Sequence, residues 1–139
     1  MRNSKPILLI EDDDVDAITT KRALKEIKVS NELIHKLDGE DGLNYLKDGN
    51  AKPCVILLDL NMPKMNGFEF LREIKNDENL KKIPVIVLTT SDTDQNILDS
   101  YQLGVAGYIT KPVDYHQFVE AMKTVDMYWT LSRLPEAEQ

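Results

Sequence analysis

The side chains best suited to chemistry stand directly behind short apolar runs. Glu11 and Asp12 follow residues 6–10, Asp59 follows residues 54–58, Thr89 follows residues 85–88, and Lys111 follows residues 107–110. Two carboxylates ~4 Å apart repel by about 4 kcal/mol at an effective dielectric of ~20, so Glu11, Asp12 and Asp59 brought together need a cation among them. Lys111 is one answer, because an ammonium on a flexible stem reaches a carboxylate or a phosphoryl oxygen. A divalent ion is the other: Mg2+ takes hard oxygen ligands, keeps waters, and binds through one or two carboxylates plus phosphate. With such an ion in place, Asp59 is a nucleophile toward phosphorus that forms an aspartyl phosphate. Phosphoryl transfer asks mainly for positioning and for cancelled charge on the equatorial oxygens. Lys111, the Thr89 hydroxyl and nearby backbone N–H groups suit that task. A plainer reading stays open at this level, with Asp59 a turn acid or helix cap and the acids at 11–14 capping a following helix. Capping accounts for Asp13 or Asp14 and does not need all four. Neither a Gly-x-Gly-x-x-Gly run nor a Gly-Lys-Ser/Thr sequence occurs, so there is a place for a phosphoryl group and no cradle for a nucleotide.

The elements that must carry these groups alternate along the chain. Residues 54–58 show no polar alternation, which reads as a strand buried on both faces in a helix-covered parallel sheet. Pro63 then forces the chain out of any ladder. In an open parallel sheet the crevice beyond the carboxyl ends of the strands is where ligands sit. Residues 6–10 and 85–88 read as further buried strands, 107–110 as a short one, and the alternating segment 32–37 as a strand nearer an edge. Val15, Ile18, Leu24 and Ile27 keep a helical spacing, as do Phe68, Leu71 and Ile74. Turn chemistry at Asp38 and Gly39 precedes a short helix carrying Leu43 and Leu46 that ends near Gly49 and Asn50. A helix from about 94 to 103 stops at Gly104, and Asp114 caps a last one striped by Phe118, Met122, Val125 and Trp129. Gly67 reads as a backbone angle that other residues resist. Strand and helix thus alternate five times. This predicts an α/β fold of flavodoxin-like type: a five-stranded parallel sheet in 2-1-3-4-5 order, right-handed crossovers, and helices on both faces.

The chain's 139 residues suit one domain, and a formal charge of −7 argues against a nucleic-acid surface. No apolar run approaches the ~20 residues of a membrane span, and the start is too short for a signal peptide, so a cytoplasmic protein without membrane contact is expected. Cys54 is the single cysteine and reads as a small core residue, with no disulfide or thiolate cluster. His35 and His116 have no metal-ligating neighbours in sequence and read as structural.

Together, residues 7–12, the run from Leu57 through Asp59, Asn61 and Pro63 to Gly67, the Leu88-Thr89-Thr90 segment, and Gly107 to Pro112 resemble the receiver domain of two-component response regulators. The match keeps the family's order from about Lys5 to Val125. The resemblance implies that Asp59 is the phosphoacceptor, supplied by a phosphohistidine on a sensor histidine kinase or phosphotransfer protein. It implies Mg2+ held by Asp12, Asp59 and the backbone carbonyl of Asn61, with Glu11 acting through water where Asp is commoner. Thr89 and Lys111 would contact the phosphoryl group. Thr89 and Tyr108 would form a switch by population shift, while Asn61 and Ser91 are tied to the lifetime of the phosphate.

The whole chain reads as one such domain, with 127–139 as an extended last helix and tail too short for an output domain. The expected output is a changed protein-protein contact, in a switch that is not an enzyme. Met127, Tyr128, Trp129, Leu131 and Leu134 are more apolar than a free tail requires, which suggests a homodimer through the last helix region. Residues 76–84, the Leu88-Thr89-Thr90-Ser91 run and the Tyr128-Trp129 ending are similar to stand-alone receivers paired with phytochrome-type kinases. A phosphotransferase of the haloacid dehalogenase kind would place a second acid where Asn61 stands. A pseudo-receiver would have lost an acid or the lysine, and neither is missing.

Overall fold

Residues rich in Ile, Leu and Val occupy strands whose two faces are both covered, and this decides the layout. In a computed structural model the residues described are 5–49, 51–62, 65–90, 93–111 and 114–131, with side chains as far as 127. In chain order the elements are β1 (Ile7–Ile10), α1 (Asp14–Glu26), β2 (Leu33–Lys36), α2 (Gly39–Lys47), β3 (Val55–Leu58), α3 (Gly67–Lys75), β4 (Val85–Thr89), α4 (Asp94–Gln102), β5 (Gly107–Thr110) and α5 (Tyr115–Leu131). The sheet runs β2-β1-β3-β4-β5 with every pairing parallel, the expected order. β1, β3 and β4 are buried at every position, whereas β2 and β5 are half-buried at the edges. Alternation along the strands divides the core: Leu8, Ile10, Ile56 and Leu58 face α2 and α3 on one side, and Ile7, Leu9, Val55 and Leu57 face α1 and α5 on the other. No helix among the described residues is long and apolar enough to cross a membrane.

Several local expectations need correction. Val15 and Ile18 do not face the core; they are 71% and 63% exposed. α1 instead buries Ala17, Thr20, Ala23 and Leu24. The small alanines let the helix lie close to the sheet, and Val15 and Ile18 fall on the other side of it. In α3 the buried positions are Phe70, Leu71 and Ile74, with Phe68 only half-buried, because a helix lying flat on a sheet covers a stripe wider than one residue per turn. Asp38 is the N-cap of α2, accepting from the Asp41 N–H at 2.9 Å, rather than a simple turn residue. Cys54 precedes β3, half-buried, and its N–H donates to the Pro6 carbonyl at 2.9 Å. Burial raises its thiol pKa. Gly104 has φ +85° and ends α4 as expected. The expectations for Pro63, Ser91, Pro112 and Leu134, and for the side chains of Tyr128, Trp129 and Leu131, fall outside the described residues.

Gly67 differs from its expected role. Its backbone is not left-handed; its hydrogen atom makes room for the chain that carries Asp59. A Cβ there would lie 2.6 Å from Leu60 Cα and 2.8 Å from the Asp59 carbonyl oxygen, both of them backbone atoms. Asn66 and Glu69 close a reciprocal capping box around the same turn, fixing where α3 begins. Gly67→Ala should therefore cost about 1–3 kcal/mol of stability in urea unfolding, as overpacking does; a loss near zero would show that the turn yields.

Candidate functional site

The backbone ladder continues just past the ends of the central strands, and this fixes the first site residues. The Glu11 N–H donates to the Lys36 carbonyl and the Asp59 N–H to the Ile10 carbonyl, both at 3.0 Å. Glu11, Asp59, Thr89 and Lys111 are all buried, with Glu11 1% and Asp59 8% exposed, while Asp12 is exposed. Glu11, Asp12 and Asp59 each offer a carboxylate oxygen, and these atoms all lie within 4.8 Å of one another. His35 Nε2 lies 2.7 Å from the Glu11 carbonyl oxygen, which only accepts, so the ring proton sits on Nε2 and the residue serves structure. Asp13 is the helix cap, taking the Asp16 N–H at 3.0 Å on Oδ1. One of the four consecutive acids is thus accounted for by capping.

Lys111 reaches the acids from β5, but through partners only half anticipated. Its Nζ donates to Glu11 Oε1 at 2.6 Å and to Asp16 Oδ2 at 2.9 Å. Asp16 was not among the expected site residues. The signal for it was its place in the first turn of α1, three residues after the Asp13 cap. The second Glu11 oxygen, Oε2, accepts the Asp13 N–H at 3.3 Å, so both its oxygens are engaged. On the other side Asn61 ties two elements together, its N–H donating to Asp59 Oδ1 at 3.2 Å and its Nδ2 to Thr89 Oγ1 at 3.3 Å. Tyr108, in register with Val87, packs half-buried against the α2–α3 side of the core. A shallow groove lined by Asp12, Asn61, Met62, Asn66 and Phe68 opens beside the acids.

Crowding of charge shows in the titration of the buried pair. Burial pushes the Glu11 carboxyl up, to about 8, its contact with Asp59 pushes the same way, and Lys111 pulls it back only in part. Burial lowers the Lys111 ammonium, but its bonds to Glu11 and Asp16 outweigh that and leave it raised. One ammonium is too little positive charge for this many carboxylates, which accords with the direction in which the Glu11 carboxyl is pushed. A divalent cation among Glu11, Asp12 and Asp59 would relieve the same excess, and the all-oxygen donor set fits a hard ion.

Known proteins share the family pattern and the fold. The family model described as the response regulator receiver domain matches residues 7–123. The chain is similar to Response regulator Rcp1 of Synechocystis sp., 37% identical over 130 residues, covering 90% of this chain and 88% of that one. It is also similar to the probable methanogenesis regulatory protein FilR2 of Methanothrix harundinacea, at 35% identity over 88% of this chain and 82% of the other. Among solved structures, the phosphorylated cyanobacterial phytochrome response regulator RcpA superposes with a TM-score of 0.88 at 38% identity, covering 96% of this chain and all of that one. The Mn(2+)-bound form of response regulator Rcp1 gives 0.85 at 36% identity, covering 95% and 99%.

A pH dependence follows from Glu11. The folded protein keeps its proton until about 8, whereas the unfolded chain releases it near 4.5. Between those values the folded state binds more protons, so stability falls as pH rises. Lys111 acts in a higher window, because its raised pKa stabilises the fold until pH passes the lysine range. With a chelator present, the unfolding midpoint should decline across the Glu11 window, and Glu11→Gln should flatten the slope. An equal slope in both proteins would refute the assignment.

Proposed function

The chain belongs to the response regulator receiver family, and from that membership we propose that it is a phosphorylatable signalling switch rather than an enzyme, with Asp59 as the phosphoacceptor. The observation that carries the proposal is the meeting of three carboxylate oxygens within 4.8 Å, flanked by Lys111 on β5 and Thr89 on β4. Asp12, Asp59 and the Asn61 carbonyl would hold Mg2+, which supplies charge neutralisation for phosphoryl transfer. Glu11 would act through water, since both its oxygens are already engaged by Lys111 and the Asp13 N–H. An Asp59 carboxylate oxygen attacks phosphorus, the bond to a donor histidine breaks, and its electron pair returns to the imidazole. Lys111 and the Thr89 hydroxyl answer the charge on the phosphoryl oxygens. The Thr89 hydroxyl accepts from the Asn61 amide and keeps its own proton to donate, and drawing it toward the phosphoryl group would couple phosphorylation to a rearrangement that Tyr108 follows.

Asn61 carries an amide, which does not exchange a proton as a carboxyl does, so it cannot be the second acid of a dehalogenase-type phosphatase. The donor is a sensor histidine kinase, of phytochrome type, or a phosphotransfer protein, acting in the cytoplasm. Met127, 57% exposed on α5, supports a homodimer through the last helix region; equal, monomeric sedimentation masses for the full chain and one cut before Met127 would remove that part.

Incubation with acetyl phosphate and Mg2+ should add one phosphoryl group by intact mass, and Asp59→Asn should abolish the gain. An unmodified wild type at saturating Mg2+, or a variant modified equally, would overturn the reading.

A further inference from the structure

We infer that Asp16 is a positioning residue that holds the Lys111 ammonium away from Asp59 in the resting protein and gives it up when a phosphoryl group arrives. This rests on the function proposed above and concerns the same site. Among the described residues Lys111 is ion-paired with Glu11 and Asp16, and not with Asp59. The two partners differ in what release would cost. The Glu11 side chain is 2% exposed, and losing its ammonium would strand a buried acid. The Asp16 side chain is 37% exposed, so water can replace the lysine there. A growing negative charge at Asp59 therefore draws the ammonium off Asp16 while its bond to Glu11 persists as the pivot.

The helix keeps the competing carboxylate in place. The Asp16 N–H is fixed by Asp13 Oδ1 at 3.0 Å, and its carbonyl accepts the Thr20 hydroxyl at 2.9 Å. Both bonds use backbone atoms of Asp16. Asp16→Asn thus removes the charge and leaves shape, cap and helix intact. Asp16 then sets a threshold: it weakens the resting grip of Lys111 on anything bound at Asp59.

The test titrates wild type, Asp16→Asn and Asp16→Glu with beryllofluoride, a phosphoryl mimic, at Mg2+ concentrations shown by separate titration to saturate each protein. Thermal unfolding verifies that each variant is folded. Asp16→Asn should bind beryllofluoride about fivefold more tightly, the scale of a part-exposed ion pair, and Asp16→Glu should return toward wild type. The gap should shrink as ionic strength rises, because screening weakens the Lys111–Asp16 pair only where the charge is present. A purely structural effect would not follow salt. Unchanged or weaker binding by a folded Asp16→Asn, or a gap indifferent to salt, would overturn the inference. Failure of the wild type to bind beryllofluoride would instead overturn the proposed function.

Discussion

The contact on which the carboxyl edge of the sheet depends is the buried bond from Lys111 to Glu11, 2.6 Å long and spanning 100 positions of sequence. It joins the end of β5, on one edge, to the end of β1, with β3 and β4 between them. Buried ion pairs contribute little net stability, because desolvation cancels much of the attraction. What this one does is electrostatic: it offsets part of the charge beside Asp59, where two uncompensated carboxylates could not stay. The raised pKa of Glu11 shows that the compensation is incomplete. A site left short of positive charge is one in which a cation, or a change in the charge on Asp59, has a large effect on its neighbours.

Rigidity beneath the site comes from the three fully buried strands. Their side chains pack into helices on both faces, and parallel ladders to their neighbours hold their register. Asp59 is thereby placed to within the tolerance of backbone hydrogen bonds rather than of a loop. Gly67 adds a second constraint by letting α3 start against the backbone of Asp59 and Leu60. The contacts at the rim are made by side chains: the Asn61 amide on Thr89, and the lysine shared between two acids of unequal exposure.

Much of this was legible in the residues. Short uninterrupted apolar runs read as double-covered strands, and strict alternation with helices makes the sheet parallel; the strand order came from the flavodoxin-like arrangement that such chains adopt. The acids, Thr89 and Lys111 were found because strand ends in a parallel sheet share an edge. The failures have one physical source, which is that periodicity locates a helix but not its rotation. Val15 and Ile18 look like core but fall on the other side of α1, and Ala17 and Ala23 look indifferent until close approach makes them the buried face. Gly67 was read as conformational freedom, whereas steric approach by a distant backbone is invisible in sequence. Asp16 escaped notice because an acid in the first turn of a helix is explained by the dipole alone.

That last point bears on how a run of acids should be weighed. Capping and chemistry looked like rival explanations for residues 11–14, yet the first turn of α1 divides the work. Asp13 turns its carboxylate back onto the helix, and Asp12 points an oxygen toward Glu11 and Asp59. Asp16, one turn on, faces Lys111. A helix advances ~100° per residue, so neighbouring acids cannot all point at one target, and separate tasks are the expected result. The cap fixes the phase of the helix, and that phase brings Asp16 to the lysine. Capping is therefore a condition for the chemistry, since a shift of one residue in where α1 begins would turn Asp16 away from Lys111.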